Sequence, residues 1–272
     1  MKALILAAGF GTRLEESYQN YSGEYKKQLE EWVAGKPKGL VIIRGKPVLQ
    51  HQLEQLLQAG LTPQDIFVHT NALYHSQYLA WGTSNGIPST HIFNNGVMDN
   101  DHRAGAVGDL RSALRQIGKD DIMVMASDTL LFCGKGTLFN FKELIEEYSQ
   151  DKIGRMVVYE GLPERLSRHG IVEIDDQKLI IGFEEKPQWP KSNLVNASTH
   201  IYTPKMIETI LQTPMDSRDE SGILIKHLYM YYPLKVVYAA RRVDIGTVDD
   251  VLSENIPPQQ HNLLLKKSEG QT

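Results

Sequence analysis

The chain has 272 residues, which is enough for one large α/β domain or two small ones. Its formal charge of -4 and sequence pI near 6.1 leave no basic surplus to neutralise a nucleic-acid backbone, so no nucleic-acid partner is expected. No apolar stretch approaches the roughly 20 residues of a membrane span, so we expect no membrane partner. The single cysteine, Cys133, excludes an intrachain disulfide and is expected to be buried. These features predict a cytoplasmic protein.

The N-terminal segment combines a strand with a loop suited to phosphate. The apolar run Ala3 to Ala8 has the length of a strand that is buried on both faces. Gly9 and Gly11 lack a Cβ, so backbone N–H groups can approach an anion closely. Thr12 and Arg13 add a hydroxyl group and a planar guanidinium that match phosphate oxygens. The loop therefore predicts a polyphosphate site.

Two commoner phosphate loops do not fit this segment. A dinucleotide fingerprint needs a third glycine where this chain has Leu14, and a P-loop needs Gly-Lys-Ser/Thr after four intervening residues. A tight strand-to-helix turn without a ligand is the remaining structural explanation. The Thr12-Arg13 continuation favours the phosphate interpretation.

The segment Leu6 to Leu14 resembles the opening signature of the sugar-phosphate nucleotidylyltransferases. Those enzymes join a nucleoside triphosphate to a sugar 1-phosphate and release pyrophosphate. The resemblance implies a three-layer, Rossmann-like α/β fold, with a mixed, mostly parallel sheet and helices on both faces. It also implies that the nucleotide contacts Ala7, Ala8, Gly9, Gly11, Thr12 and Arg13.

A second family signature follows a polar stretch that looks like an insertion. Residues 15–35 are predicted to contain one short helix, Glu24 to Trp32, and are either a flap over the nucleotide or a surface excursion without a role. The segment from Lys36 to Pro47 then resembles the next signature of the family. We expect Lys38 to reach the phosphates that Arg13 holds, whereas Lys36 and Lys46 are expected in solvent.

Helices and strands alternate over the following residues. This pattern predicts a parallel sheet with helices on both faces. The predicted elements are a helix from Val48 to Ala59, a strand from Ile66 to His69, a helix from Tyr74 to Trp81 and a strand from Thr90 to Phe93.

A glycine-containing turn then leads into a helix with one apolar face. Gly105 and Gly108 keep the two glycines of the family's Gly-Thr-Ala-Gly turn, which lies against the base and ribose. Family members often read the base with a polar side chain shortly before this turn, and Asn94 and Asn95 are both candidates. The resemblance implies nucleotide contacts at Gly105 and at Asn94, but the base stays undetermined.

Two aspartates are predicted at the carboxyl ends of strands. The run from Asp121 to Asp128 is a buried-type strand that delivers a carboxylate to the crevice where ligands bind in open α/β sheets. The resemblance assigns Asp128 to the metal and the nucleotide, and it assigns Asp244, in the final signature Val243 to Thr247, as the second metal ligand. Mg²⁺ favours one or two carboxylates together with phosphate oxygens. It is the expected cofactor.

The second half of the chain resembles the sugar-binding part of the family. A hairpin is predicted from Gly170 to Phe183, and it ends in Glu184-Glu185-Lys186-Pro187. The resemblance implies that the sugar phosphate contacts Gly170, Glu185, Lys186 and Asn196. The other predicted elements are helices at Thr137–Tyr148, Pro204–Leu211 and Gly222–Tyr231, and strands at Arg155–Glu160, Asn193–Tyr202 and Leu234–Ala240.

The six motifs together predict a magnesium-dependent sugar-1-phosphate nucleotidylyltransferase with Arg13, Lys38 and Lys186 as catalytic residues. We expect one domain over 1–254, with a nucleotide half over 1–130 and a sugar half over 131–254, and a polar tail over 255–272. Two other functions remain: a catalytically silent nucleotide-binding homologue, and a glycosyltransferase using the Asp99-Asn100-Asp101 segment. Self-association into a homo-oligomer, and which sugar is used, stay open.

Overall fold

A computed structural model describes residues 1–134, 136–213 and 221–256. Within these ranges no helix has the length and apolar character needed to cross a membrane. The strands are β1 Lys2–Ala7, β2 Ile42–Ile43, β3 Lys46–Pro47, β4 Ile66–Thr70, β5 Ile92–Asn94, β6 Ile122–Ala126, β7 Thr129–Phe132, β8 Gly154–Glu160, β9 Gly170–Ile174, β10 Ile180–Glu185, β11 Leu194–Tyr202, β12 Leu234–Tyr238 and β13 Arg241–Asp244. The helices are α1 Thr12–Asn20, α2 Lys26–Trp32, α3 Val48–Gln58, α4 His75–Ser84, α5 Gly105–Ile117, α6 Phe141–Asp151, α7 Pro204–Gln212, α8 Ser221–Tyr229 and α9 Val248–Asn255.

A nine-stranded mixed sheet forms the centre of the described structure, with the order β10-β9-β11-β6-β1-β4-β5 and with β8 and β12 attached through β11. Strands β6, β1, β4 and β5 are parallel neighbours, so their carboxyl ends meet at one edge. Strand β11 runs antiparallel to β6, with Thr199 opposite Met125. The beginning of β11 therefore reaches the same edge as the ends of β6 and β1.

Helices cover both faces of this sheet, as the alternation of elements predicts. On one face Leu4 packs in a core cluster with residues of α5, α7 and α8. On the other face Ala3 and Ile5 pack against α3, α4 and α6. Because β1 is buried on both sides, its sequence is apolar throughout instead of alternating. The three-layer α/β architecture expected from the sequence is confirmed.

A third core cluster contains part of the stretch that the sequence left as a polar insertion. Helix α1 starts at Thr12, directly after the glycine loop, where no helix was predicted. Leu14, Tyr18, Leu29 and Val33 are buried against β7, β13 and α9. The stretch 15–35 is thus packed against the rest of the chain.

Three local expectations differ from the structure. The helix expected from Thr137 begins at Phe141, because the Asn140 side chain caps it by accepting a hydrogen bond from the Lys142 amide and the preceding residues pair with β7. Cys133 is exposed, which corrects the expectation of a buried thiol. In the predicted tail, Ile256 is buried after the end of α9, and residues 257–272 lie outside the described ranges.

The packing of the insertion predicts a stability effect. We expect Leu29→Ala to lower the free energy of unfolding by about 2–5 kcal/mol, since Leu29 is fully buried and its removal leaves a cavity. The same change at Leu162, which is 57% exposed, should cost less than about 0.5 kcal/mol. Urea unfolding of both variants measures the difference, and equal, small losses would contradict the packed arrangement.

Candidate active site

The glycine loop connects the carboxyl end of β1 to the N-terminus of α1. The buried Asn71, which follows β4, donates its side-chain N–H to the carbonyl oxygen of Ala8 at 3.0 Å and so anchors the start of the loop. Gly11 has a φ of 68°, a left-handed conformation that favours glycine. The space at position 11 also favours glycine, because a Cβ there would lie only 3.3 Å from Lys38 Cγ. No side chain caps α1, so its first N–H groups are available to an anion.

An ion pair joins the loop region to the end of β6. Lys38 Nζ lies 2.8 Å from Asp128 Oδ2, and both side chains are mostly buried, with 15% and 23% exposed. Burial alone would raise the pKa of Asp128, but the Lys38 ammonium outweighs this and holds the pKa below its usual value. The other two lysines lie elsewhere. Lys36 Nζ donates a hydrogen bond to the backbone carbonyl of Glu31, and Lys46 Nζ donates one to the carboxylate of Glu54. Of the three lysines, Lys38 is therefore the one that faces the predicted metal ligand.

A buried glutamine side chain holds the turn that carries Asp128. Gln52, on α3, donates hydrogen bonds to the carbonyl oxygens of Ala126 at 2.8 Å and Thr129 at 2.7 Å, on either side of the turn. The buried Tyr78, on α4, lies beside Gly39, where a Cβ would be 3.1 Å from its hydroxyl oxygen. The two bonds of Gln52 therefore fix the backbone on both sides of Asp128.

A short two-stranded ladder brings the second aspartate to the first. Strands β7 and β13 pair antiparallel with Asp244 opposite Thr129, and the Ile245 amide donates to the Asp128 carbonyl at 2.9 Å. Burial and then the neighbouring Asp128 carboxylate raise the pKa of Asp244. The predicted metal ligands are therefore adjacent, although they are far apart in sequence.

Arg242 is a site residue that the sequence interpretation missed. Its Nη2 lies 3.4 Å from Asp244 Oδ1 and 3.5 Å from Thr129 Oγ1, and the side chain is only 10% exposed. Residues two apart in a strand share a face, so the spacing of Arg242 and Asp244 was the available signal. Lys38 thus pairs with Asp128, and Arg242 pairs with Asp244.

Two adjoining cavities open at this edge of the sheet. The smaller, of about 150 Å³, is lined by Leu6, Gly9, Gly11, Thr12, Arg13, Lys38, Ser127 and Asp128. The larger, of about 320 Å³, shares Leu6 and Gly9 and extends between α5 and β11. Ala8 and Gly105 line the larger cavity, whereas Ala7 and Asn94 line neither. The exposed Asn94 instead accepts a hydrogen bond from the Gly96 amide through its own side chain.

The predicted sugar-phosphate residues lie at the start of β9 and the end of β10. Gly170 is opposite Glu185 in this hairpin, and a Cβ at Gly170 would clash with the Phe183 ring. The Lys186 backbone has a φ of 47° and its amide donates to the His169 carbonyl at 3.0 Å. Burial lowers the pKa of His169, and so do the positive charges of four nearby side chains. These are Arg242, Arg165, Arg168 and Lys186, so the end of β10 lies in a cationic region.

Asn196 is close to the cavities, but its oxygen is already bonded. Asn196 Oδ1 accepts from the Ser198 amide at 2.9 Å and from His200 Nε2 at 3.1 Å. The bonds span a bulge in β11, where Ser198 has a φ of 56°. Ser198 and His200 line the larger cavity. Any contact of Asn196 with a sugar would therefore use its amide nitrogen.

The alternative Asp99-Asn100-Asp101 motif has a local role. Asp99 Oδ1 accepts hydrogen bonds from the backbone amides of Asp101 and His102, in an exposed turn after β5. Such turns stabilise loops without a ligand. This geometry does not favour a glycosyltransferase metal site at that position.

Residues 27–257 match the family model described as nucleotidyl transferase. The match covers most of the chain, and the protein belongs to the nucleotidyl transferase family. The matched range starts after the Gly9–Arg13 loop, and the cavity described above shows where that loop lies relative to Lys38 and Asp128.

Individual proteins with similar sequences or structures are also described as nucleotidyltransferases. The chain is 26% identical to the low-salt glycan biosynthesis nucleotidyltransferase Agl11 of Haloferax volcanii, over 82% of this chain and 55% of that protein. It is 25% identical to a mannose-1-phosphate guanyltransferase of Debaryomyces hansenii, over 94% of this chain and 64% of that one. A Bacillus anthracis structure described as a glucose-1-phosphate thymidylyltransferase superposes with a TM-score of 0.71 at 21% identity, covering 97% and 94% of the two chains. The chain spans roughly half to two thirds of the two sequence relatives.

Two buried histidines near the site predict acid sensitivity. Burial lowers the pKa values of His69 and His200 to about 4. Below pH 6.5 the unfolded chain binds protons that the folded protein does not, so stability falls as the pH drops towards 4. The loss should be up to about 1.4 kcal/mol per pH unit for each histidine. Urea unfolding at pH 7, 6 and 5 should give a shallower pH dependence for His69→Gln, and an unchanged slope would contradict this assignment.

Proposed function

We propose that this protein transfers a nucleotidyl group from a nucleoside triphosphate to a sugar 1-phosphate. A phosphate oxygen of the sugar forms a bond to the α-phosphorus, the bond to the bridging oxygen of the β-phosphate breaks, and pyrophosphate leaves. The observation that carries the proposal is the small cavity in which the glycine loop, Arg13, Lys38 and Asp128 converge. Family membership and the names of the relatives support the same reaction.

The triphosphate would occupy the smaller cavity. The uncapped N-terminus of α1 offers backbone N–H groups, and Thr12, Arg13 and Lys38 add donors from side chains that line the cavity. The base and ribose would extend into the larger cavity, next to Ala8, Gly9 and Gly105. This arrangement would orient the α-phosphorus for attack and neutralise charge that develops on the leaving pyrophosphate.

The sugar 1-phosphate would approach from β9, β10 and β11. Lys186 would pair with its phosphate, while Glu185, the Gly170 backbone and Asn196 would contact the sugar. The nucleophilic oxygen is already anionic near neutral pH, so the reaction needs alignment and charge neutralisation more than a general base. In this proposal residues 1–130 supply the phosphate loop and residues 131–254 supply the sugar contacts, while β11 from the second half also forms part of the wall around the base and ribose.

The donor set at the two aspartates fits Mg²⁺. Mg²⁺ binds through one or two carboxylates plus substrate phosphates, and mutual repulsion of Asp128 and Asp244 contributes to the raised pKa of Asp244. Among the described residues no group of three or more His, Cys, Asp or Glu side chains could form a metal site made of protein alone. We propose that Asp128 and Asp244 hold Mg²⁺ together with the triphosphate. Bound there, the ion would supply charge neutralisation for the phosphates.

The reaction is tested by pyrophosphate release. We expect release that depends on Mg²⁺ when ATP, CTP, GTP, UTP or dTTP is paired with a panel of hexose and N-acetylhexosamine 1-phosphates. One productive pair identifies both substrates, and mass spectrometry of the product establishes the new nucleotide sugar. Triphosphate binding without release across the panel would contradict the proposal and favour the silent homologue.

Single substitutions test the assigned roles. We expect Asp128→Asn and Lys186→Ala each to lower kcat/KM by roughly 10²-fold or more, since each removes a group that would stabilise phosphate charge. Matched controls are Asp176→Asn and Lys178→Ala on the exposed turn of the β9–β10 hairpin. Lys178 is a close control for Lys186 because it too has a left-handed backbone, with a φ of 64°. Near wild-type kcat/KM in either site variant would reject that residue's role.

A further inference from the structure

A carboxylate lies in the wall of the larger cavity, away from the two aspartates of the proposed metal site. Asp109, on α5, lines this cavity, and its side chain is 13% exposed. One oxygen, Oδ1, accepts a hydrogen bond from Asn95 Nδ2 at 2.9 Å. The other oxygen, Oδ2, has no hydrogen-bond partner among the described residues. The Asp109 carboxylate can therefore accept a further hydrogen bond from a ligand in this cavity.

The contacts behind Asp109 fix the direction of this acceptor. Asn95 Oδ1 accepts from the Val97 amide at 2.9 Å, so the nitrogen of the same side chain must face Asp109. His69, which is fully buried on β4, has Nδ1 at 3.8 Å from Asp109 Oδ1, and neither ring nitrogen has a hydrogen-bond partner in the described structure. Oδ1 accepts one hydrogen bond, from Asn95, and His69 at 3.8 Å is too far to donate a second. Both oxygens of the carboxylate can therefore accept from a ligand, Oδ2 fully and Oδ1 through its second lone pair.

The surroundings of Asp109 are those of a base pocket. The same cavity is lined by Ala8, Gly9 and Gly105, which would contact the nucleotide. Leu6, Val107 and Leu110 make much of the remaining wall apolar. In such a cavity a few placed polar groups decide which ligand is accepted. Asp109 is the acidic side chain in the lining of this cavity, so it is the group there that only accepts hydrogen bonds from a base.

We propose that Asp109 selects guanine, an inference that rests on the proposed nucleotide site. A carboxylate accepts only, and guanine is the common base whose pairing edge offers two adjacent donors, N1–H and the N2 amino group. Uracil and thymine offer one N–H between two acceptors, and adenine and cytosine offer an amino group beside an acceptor nitrogen. Arg103 lines the same cavity, and its guanidinium suits O6 and N7 of guanine.

The alternative is that Asp109 has only a structural role as the partner of Asn95. The two roles differ in what Asp109→Asn does. The substituted amide would keep an oxygen for Asn95 but replace the free acceptor with an N–H donor. A structural role predicts equal changes for all bases, whereas base selection predicts a change that depends on the base.

The test measures equilibrium binding of triphosphates to the full chain, without turnover. Wild-type protein should bind GTP most tightly, and ITP, which lacks the N2 amino group, roughly 10-fold to 100-fold more weakly. Asp109→Asn should weaken GTP by roughly 10-fold to 100-fold and improve XTP, whose O2 accepts from the new amide. Asp176→Asn, the same change on an exposed turn, is the control and should leave the order of affinities unchanged.

The outcomes separate this inference from the proposed reaction. Tightest wild-type binding of a pyrimidine triphosphate or ATP, equal binding of GTP and ITP, or a uniform loss in Asp109→Asn would each overturn base selection. The wild-type comparison of GTP with ITP requires no variant, so it decides the matter even if Asp109→Asn fails to fold. A guanine preference in binding without pyrophosphate release would support the inference and contradict the reaction.

Discussion

The ion pair between Lys38 and Asp128 is the interaction on which the site depends. It joins the segment after the insertion to the turn after β6, over 90 positions in the sequence and at 2.8 Å. A largely buried charge without a partner is costly, so the pair constrains both backbone segments together. Asp244 adds a second carboxylate beside it, and Arg242 contacts that carboxylate from β13. The site thus contains two adjacent carboxylates and two cationic side chains, an environment suited to a dication and phosphates.

The geometry of the sheet explains why these groups meet. The parallel strands β6, β1, β4 and β5 end at one edge, which is where ligands bind in open α/β sheets. The antiparallel strand β11 begins at that edge, and its bulge turns Ser198 towards the larger cavity. The ladder of β7 and β13 fixes Asp244 opposite Thr129, next to Asp128. Strand direction and register, more than any single loop, assemble the site.

In the proposed function, the two cavities would bind different parts of the nucleoside triphosphate. The smaller one offers backbone amides and cations, which recognise phosphate whatever the base. The larger one is mainly apolar, so the few polar groups in its wall would decide which base ring fits. In the proposed function, base specificity would therefore depend on individual side chains of the larger cavity.

The sequence by itself determined the strand, the glycine loop and the carboxylate after β6, because each is read from neighbouring residues whose burial pattern and turn chemistry are local. Tertiary structure alone decided that Asp244 lies beside Asp128, since this depends on the register of β7 with β13. It also decided that Asn95 donates a hydrogen bond to Asp109 on α5, while the Asn94 side chain accepts one locally from the Gly96 amide. Helix α1 and the burial of Arg242 were missed for the same reason: a polar sequence becomes part of a core only when distant residues cover it.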